Sequence, residues 1–600
     1  MTKLPGPAVM FALAILGAAC TPSPGATVST GEPGTTTVAA TPTPSTGPSG
    51  PESFDEFVEN SFQELTRRRP QLVTVLGLDA VYRTRPDQLD DLSPEYTLAT
   101  TAVAESLLSR LRGYDPETLT SDQRVTYRTF EWHLETAIEA HEFRLLEWPV
   151  HFLINSYNED LISLFMTVHP LTGPVEIESY LARLAAVPAQ VDQVISWMEQ
   201  AEDAGAVPAG YLIDITIRQL DDDISGGDPD RTALLAAFED RILDTDLEVE
   251  TASGYVERAR SELATSFIPA WQRLIDHLRG IGQRHTSISL ADLPGGDSYY
   301  RHLLSRHTST DLSPEEIHQI GLREADRIKT EMYELAVASG LGEMSVAGFR
   351  DLAANRGGFV SGEDVVDAYA GIIDNASDWF GPYFNTVPST PLEIVNDPGT
   401  VAFYLVPASD GSRPGQFHAG TGGQQVPRYT MASLAYHEAV PGHHFQIATA
   451  QESELASPQR FLTSTGHVEG WALYAERLAA EIGVYAADPL SDFGRLDYEL
   501  LRAARLIVDT GIHHYRWTRD EAVATMTGVM EGDHLNHEVE RYALYPGQAT
   551  AYMVGMLAIL DLRDTNGISI DDPEAMAHFH ETFLGQGNVP LAVLPDLSDR

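Results

Sequence analysis

Between His437 and His443 the chain carries Pro441-Gly442, and no straight helix can run through that pair. Proline has no N–H, and its ring clashes with the carbonyl four residues back, here that of His437. The constraint falls inside His437-Glu438-Ala439-Val440-Pro441-Gly442-His443-His444, a run that concentrates metal-binding side chains. In the motif H-E-x-x-H, imidazoles at i and i+4 share one helical face and bind zinc, while the Glu activates water. Here i+4 is Pro441, and the next imidazoles stand at i+6 and i+7. On an ideal helix His443 would point about 240° away from His437. His444 would point about 20° away, but roughly 10 Å further along the axis. A shared metal therefore demands a distortion, and a kink or π-type bulge at Pro441-Gly442 would absorb the two extra residues. The string then reads as a stretched H-E-x-x-H. His437 and His443 are the expected ligands, His444 is the alternative to His443, and Glu438 is the expected base.

Two imidazoles need a third protein ligand, commonly a carboxylate from a following helix. Glu469 lies in Gly466-His467-Val468-Glu469-Gly470-Trp471-Ala472-Leu473-Tyr474, far enough beyond His443 for a loop and a returning helix. Glu476 follows on the same pattern and is a candidate to orient a ligand rather than to bind. Further on, His513, Arg541, Tyr542 and Tyr552 are candidate donors to the oxyanion of a hydrolysed carbonyl. Taken singly, each reads first as a satisfied buried polar residue. Arg502, Arg505 and Arg541 are candidates to hold a charged substrate terminus. No G-x-S-x-G and no G-x-x-x-x-G-K-[ST] occurs in the chain. The run Gly420-Thr421-Gly422-Gly423 reads as a mobile loop or as a cradle for substrate backbone.

Thirty-nine basic residues stand against 87 acidic ones, a net charge of −48 that excludes nucleic acid and anionic membrane surfaces as partners. The N-terminus has the form of an export signal: Met1 to Lys3 is positive, Ala8 to Leu16 apolar, and Gly17-Ala18-Ala19 small. Cys20, the one cysteine, follows directly, and its position favours lipidation over simple cleavage, with Gly17 where such signals usually carry Leu. The expected organisation is a leader over 1–20, a Thr/Pro/Ser/Gly-rich tether over 21–52, and a folded body over 53–600. Membrane association is then expected only through a lipid at Cys20.

The body is mainly helical in pattern. Leu181, Leu184, Val187, Val191, Val194, Ile195 and Met198 recur at three- and four-residue steps, and Ser313-Pro314-Glu315-Glu316 is a helix start. Strands are expected at Ile394-Val395 and Val401 to Val406 about the turn Asn396-Asp397-Pro398-Gly399, with a third near Gln416 to Ala419. They would make a small sheet beside the His/Glu run, either a structural hairpin or an edge for a peptide backbone.

The pieces His-Glu-Ala-Val-Pro-Gly-His-His, Glu469-Gly-Trp-Ala-Leu-Tyr, Val508-Asp-Thr-Gly-Ile-His and Arg541-Tyr…Pro546-Gly-Gln-Ala resemble the bacterial family catalogued as domain of unknown function 885. Leu312-Ser-Pro-Glu-Glu-Ile-His-Gln-Ile-Gly and Tyr180-Leu-Ala-Arg-Leu-Ala-Ala-Val-Pro agree with it. The resemblance implies a large two-lobed helical fold akin to zinc metallopeptidases whose third ligand is Glu. The lobes are expected near 53–290 and 291–600. Sequence and resemblance together point to an exported Zn²⁺ peptidase acting on peptides. A hydrolase of a non-peptide amide or ester, and a binding protein without turnover, are the alternatives.

Overall fold

The computed structural model describes residues 52–597 apart from 154, 283, 400, 533 and 534. The leader, the body of the tether and Cys20 lie outside the described residues. The first helix, Phe54–Thr66, opens on a capping box in which Ser53 and Glu56 satisfy each other's backbone N–H groups.

In the N-terminal half the longest helix is α1, Pro174–Asp203. Leu181, Leu184, Val187, Val191, Val194 and Met198 are buried on its inner face, as their spacing predicts. They join a core that draws almost entirely on residues before 282. The C-terminal half builds a second core on its own helices, beginning with α2, Gly296–Thr308, and α3, Pro314–Ala338. Ser313 caps α3 with Pro314 in the first turn and Glu316 closing the capping box.

The strands are few: β1 Phe359–Val360, β2 Leu392–Asp397, β3 Val401–Leu405, β4 Gly415–Thr421 and β5 Val426–Pro427. The pair β1 and β5 forms a short antiparallel bridge. The other three form one sheet in the order β2-β4-β3. The expected hairpin between β2 and β3 is corrected, because β4 enters between them, parallel to β2 and antiparallel to β3. The turn at 396–399 thus spans one strand's width rather than closing a ladder. Phe403, Tyr404 and Leu405 of β3 are buried in the N-terminal core, so this small sheet ties the two halves together.

Beyond the sheet come α4 Arg428–Glu438, α5 His443–Glu452, α6 Thr465–Glu481, α7 Pro489–His513, α8 Asn536–Leu544 and α9 Ala551–Thr565. Among the described residues no single helix is long and apolar enough to cross a membrane.

Candidate metal centre

The expected kinked or bulged helix is corrected at Pro441-Gly442: the helix stops and a second one starts. Helix α4 ends at Glu438, Ala439 leaves helical geometry at φ −110° and ψ −102°, and α5 begins at His443. The Val440–Pro441 peptide bond is cis. Gly442 is required by close approach, since a Cβ there would lie 1.9 Å from the carbonyl oxygen of His437. The turn is clamped from α6, where the Trp471 indole N–H donates to the Pro441 carbonyl at 2.8 Å.

This break brings together what the sequence spacing keeps apart. His437 stands in the last turn of α4, His443 in the first of α5, and Glu469 on the facing helix α6. One ligand atom from each lies within 4.8 Å of the other two, and all three residues are buried. Glu469 Oε2 is 3.6 Å from His437 Nε2 and 3.5 Å from His443 Nε2. Both Glu469 oxygens and both His443 ring nitrogens are buried without a hydrogen-bond partner. Buried polar atoms are rarely left so, and Glu469 Oε2 facing the Nε2 atoms of both His437 and His443 suits a cation. Separations near 3.5 Å are those expected between ligands about 2.0–2.2 Å from a shared tetrahedral ion. The residues therefore fit a metal.

The other ring nitrogen of His437 is engaged: Nδ1–H donates to Glu476 Oε1 at 2.8 Å, which turns Nε2 toward Glu469. Glu476 lies two turns beyond Glu469 on α6 and is itself held by the Ser433 hydroxyl, one turn before His437 on α4. Burial works against a charged His437, yet Glu469 and Glu476 outweigh it and lift its pKa to about 9. Burial likewise raises Glu469, but the two imidazoles prevail and hold its carboxyl well below the usual range. Glu438 is buried beside them, and burial raises its pKa against the pull of His437 and His443. His444 turns elsewhere, with Nδ1 3.0 Å from the Tyr404 hydroxyl, so it is His443 that joins the cluster.

Of the expected oxyanion donors, His513 and Tyr542 are corrected. His513 Nδ1 accepts the Leu290 N–H at 3.1 Å and Nε2–H donates to the Tyr542 carbonyl at 2.9 Å, which exhausts the ring. The Tyr542 hydroxyl donates to Glu538 Oε2 at 2.5 Å, and Glu538 also accepts from Nε and Nη2 of Arg505. Neither side chain has a donor to spare. Arg541 and Tyr552 are placed differently. The Tyr552 ring stacks on His437 at 6.3 Å between centroids, and Arg541 Nη2 donates to its hydroxyl at 3.3 Å and to Gln548 Oε1 at 2.7 Å. The guanidiniums of Arg505 and Arg502 lie over the same ring, at 4.8 and 5.6 Å. Tyr552 can approach because α6 and α9 cross on glycine: a Cβ at Gly470 would lie 2.4 Å from the Gly555 carbonyl carbon. Ser433 lies in no motif and Gln548, though within Pro546-Gly-Gln-Ala, has no role legible there; the places of both emerge only when the helices pack.

A small pocket of about 40 Å³ opens on His443, lined by Asn155, Tyr404, Thr465, Tyr545 and Gln548. A larger cavity of about 290 Å³ lies beyond it, between the two halves, and shares Asn155 and Tyr545 with it.

Fold and site together define a mainly helical protein with a His–His–Glu centre able to hold a metal ion. The chain belongs to the family described as bacterial protein of unknown function, DUF885, whose profile matches residues 70–597. No curated protein matches it. Among solved structures it is similar to a candidate lipoprotein from Colwellia psychrerythraea, 27% identical over 91% of this chain and 98% of that one, with a TM-score of 0.84. It shares its fold with a candidate lipoprotein of unknown function from Shewanella oneidensis, 18% identical over 91% of this chain and 100% of that one, TM-score 0.67. A likeness to the M32 carboxypeptidase from Deinococcus radiodurans R1 is distant, 10% identical over 90% of this chain and 96% of that one. Its TM-score of 0.41 is too low to bear on activity.

Proposed function

We propose that the protein is an exported zinc-dependent peptidase in which His437, His443 and Glu469 hold the metal. The observation that carries this reading is a buried His437–His443–Glu469 set, in which the His443 nitrogens and Glu469 oxygens have no other hydrogen-bond partner, with Glu438 directly after His437 along the chain. Zinc in such a site polarises a carbonyl and makes water a better nucleophile. Glu438 takes the proton from water as its oxygen attacks the peptide carbonyl, then returns that proton to the leaving amine. A carboxyl raised by burial is suited to both halves of that shuttle. The Tyr552 hydroxyl, polarised by Arg541, donates to the oxyanion. Glu476 keeps the His437 ring in its ligating tautomer.

Export rests on the leader pattern ahead of Cys20, and the Colwellia and Shewanella relatives are described as candidate lipoproteins. Lipidation at Cys20 would tether the body to the envelope, read as an acylated N-terminal peptide in the membrane fraction. An unmodified mature chain found free in the medium would refute the anchor.

Metal analysis paired with a mixed-peptide digest read by mass spectrometry tests the whole reading. About one zinc per chain and new peptide termini are expected, and Glu438→Gln should abolish turnover while retaining zinc. Stoichiometric metal with no cleavage across the library would replace the peptidase with a metal-binding envelope protein. Cleavage of simple esters or acyl amides alone would point to a non-peptide hydrolase.

A further inference from the structure

The interlobe cavity has one charged side chain that stands out. Arg306, in the last turn of α2, lines it half-buried. No ion pair or hydrogen bond engages its guanidinium among the described residues. In a chain with 87 acidic and 39 basic residues, an arginine left without a carboxylate runs against the odds. The other arginines of the cavity are committed: Arg69 pairs with Asp90 at 3.2 Å, and Arg68 donates to Thr100 Oγ1 at 2.7 Å. The Arg306 charge is felt at the phenols of Tyr299 and Tyr545. Glu147 acts on the same two phenols with the opposite sign, yet forms no ion pair with Arg306.

Arg306 is also connected to the metal centre. Its neighbour His307 is buried with an unpartnered Nε2, and its Nδ1 meets Thr465 Oγ1 at 3.2 Å. Thr465 lines the pocket on His443. Asn155 and Tyr545 line both spaces, and Asn155 Nδ2 donates to the Tyr545 hydroxyl at 3.2 Å across the junction. Asn155 holds that position in the left-handed region, φ 57°. The two spaces thus adjoin at a polar boundary made by Asn155 and Tyr545, with the candidate ligand His443 on one side and an uncommitted guanidinium on the other. The walls between offer aromatic surface from Trp148, Trp197 and Tyr299. At about 290 Å³ the cavity is near the small end of ligand sites, roughly 300–1,000 Å³, and suits a few side chains rather than a folded domain.

We propose that Arg306 anchors the free C-terminal carboxylate of a short peptide in this cavity, so that the bond offered to Glu438 lies close to the substrate's C-terminus. This rests on the peptidase reading above and specifies its substrate. Guanidinium matches carboxylate in a bidentate fork, which an amidated terminus cannot supply.

The probe is acetyl-Ala-Ala-Phe-Leu, as the free acid and as the C-terminal amide. Affinities are measured by titration calorimetry on zinc-loaded Glu438→Gln protein, with and without Arg306→Gln or Arg306→Lys. Wild-type cleavage of the same pair is read by mass spectrometry. The acid is expected to bind about ten- to a hundredfold more tightly than the amide. Arg306→Gln should erase the difference and Arg306→Lys keep part of it, with amide affinity unmoved in both. Equal binding of acid and amide, binding of neither, or a preference that survives Arg306→Gln overturns the proposal. If Arg306→Gln fails to fold, the acid–amide comparison on the arginine protein still decides. An acid preference that depends on Arg306 without cleavage by wild type would leave the anchor standing and remove the peptidase. Cleavage indifferent to the terminus would do the reverse.

Discussion

At the scale of single residues, the site depends on which nitrogen of each imidazole is already used. His437 and His513 are both buried histidines in the C-terminal half, and the sequence marks both as candidates. Their partners separate them. His437 has one nitrogen on a carboxylate and one open toward Glu469, whereas His513 has both on backbone groups. Burial holds the His513 pKa down at about 4, against the pull of the Tyr542 carbonyl, and protonation would put a second N–H against the Leu290 donor. The folded pKa is thus below the unfolded value near 6.5. The stabilisation is intact above pH 6.5 and is lost as pH falls from there toward 4. Between pH 7.5 and 5 the wild type should lose about 2 kcal/mol more than His513→Gln, whose side chain does not titrate. Parallel stability curves in denaturant titrations at the two pH values would refute the neutral, fully bonded ring. For Glu476→Gln the expectation is different: the fold persists, and metal affinity drops about 10- to 100-fold in competition with a chelator. Affinity equal to wild type would remove Glu476 from the support of His437.

At the scale of elements, the decisive event is the gap between α4 and α5. The distortion and its location are legible, because proline at i+4 forbids a helix and the ligand vocabulary demands one meeting point. Its form is not legible. A bulge and a full stop satisfy the same spacing, and the choice is made by Trp471, thirty residues away, bonding the Pro441 carbonyl. The strand order fails to read for a related reason. The turn at 396–399 is a local signal for a hairpin, but β4 offers β2 and β3 a better-buried partner, and no local pattern reports that. Helix faces and the helix start at Ser313 read correctly because both are settled within a few residues. Gly442→Ala tests the gap directly. A Cβ 1.9 Å from the His437 carbonyl cannot be relieved by a side-chain rotation. A loss of about 3 kcal/mol, together with loss of bound metal, is expected. Near-native melting with metal retained would show that the turn has room that its backbone contacts deny.

At the scale of the whole molecule, the metal centre sits where the two cores meet. Val468, next to Glu469, and Ile447, one turn beyond His443, are buried in the N-terminal core, while their helices belong to the C-terminal half. Phe403, Tyr404 and Leu405 of β3 enter the same core. An ion at His437, His443 and Glu469 therefore braces elements that reach into both cores. Removing it leaves Glu438, Glu469 and Glu476 buried close together, with His437 and Arg502 as the adjacent positive groups. A ligand present at a hundred times its dissociation constant stabilises the fold by about 2.7 kcal/mol. Chelation should therefore lower the melting temperature, and readdition of zinc should restore it. Because the bracing crosses the boundary, calorimetry should show the whole transition moving as one unit. Two separate peaks, of which only one responds to the chelator, would mean that the N-terminal half unfolds without reference to the metal and that β3 does not couple the cores.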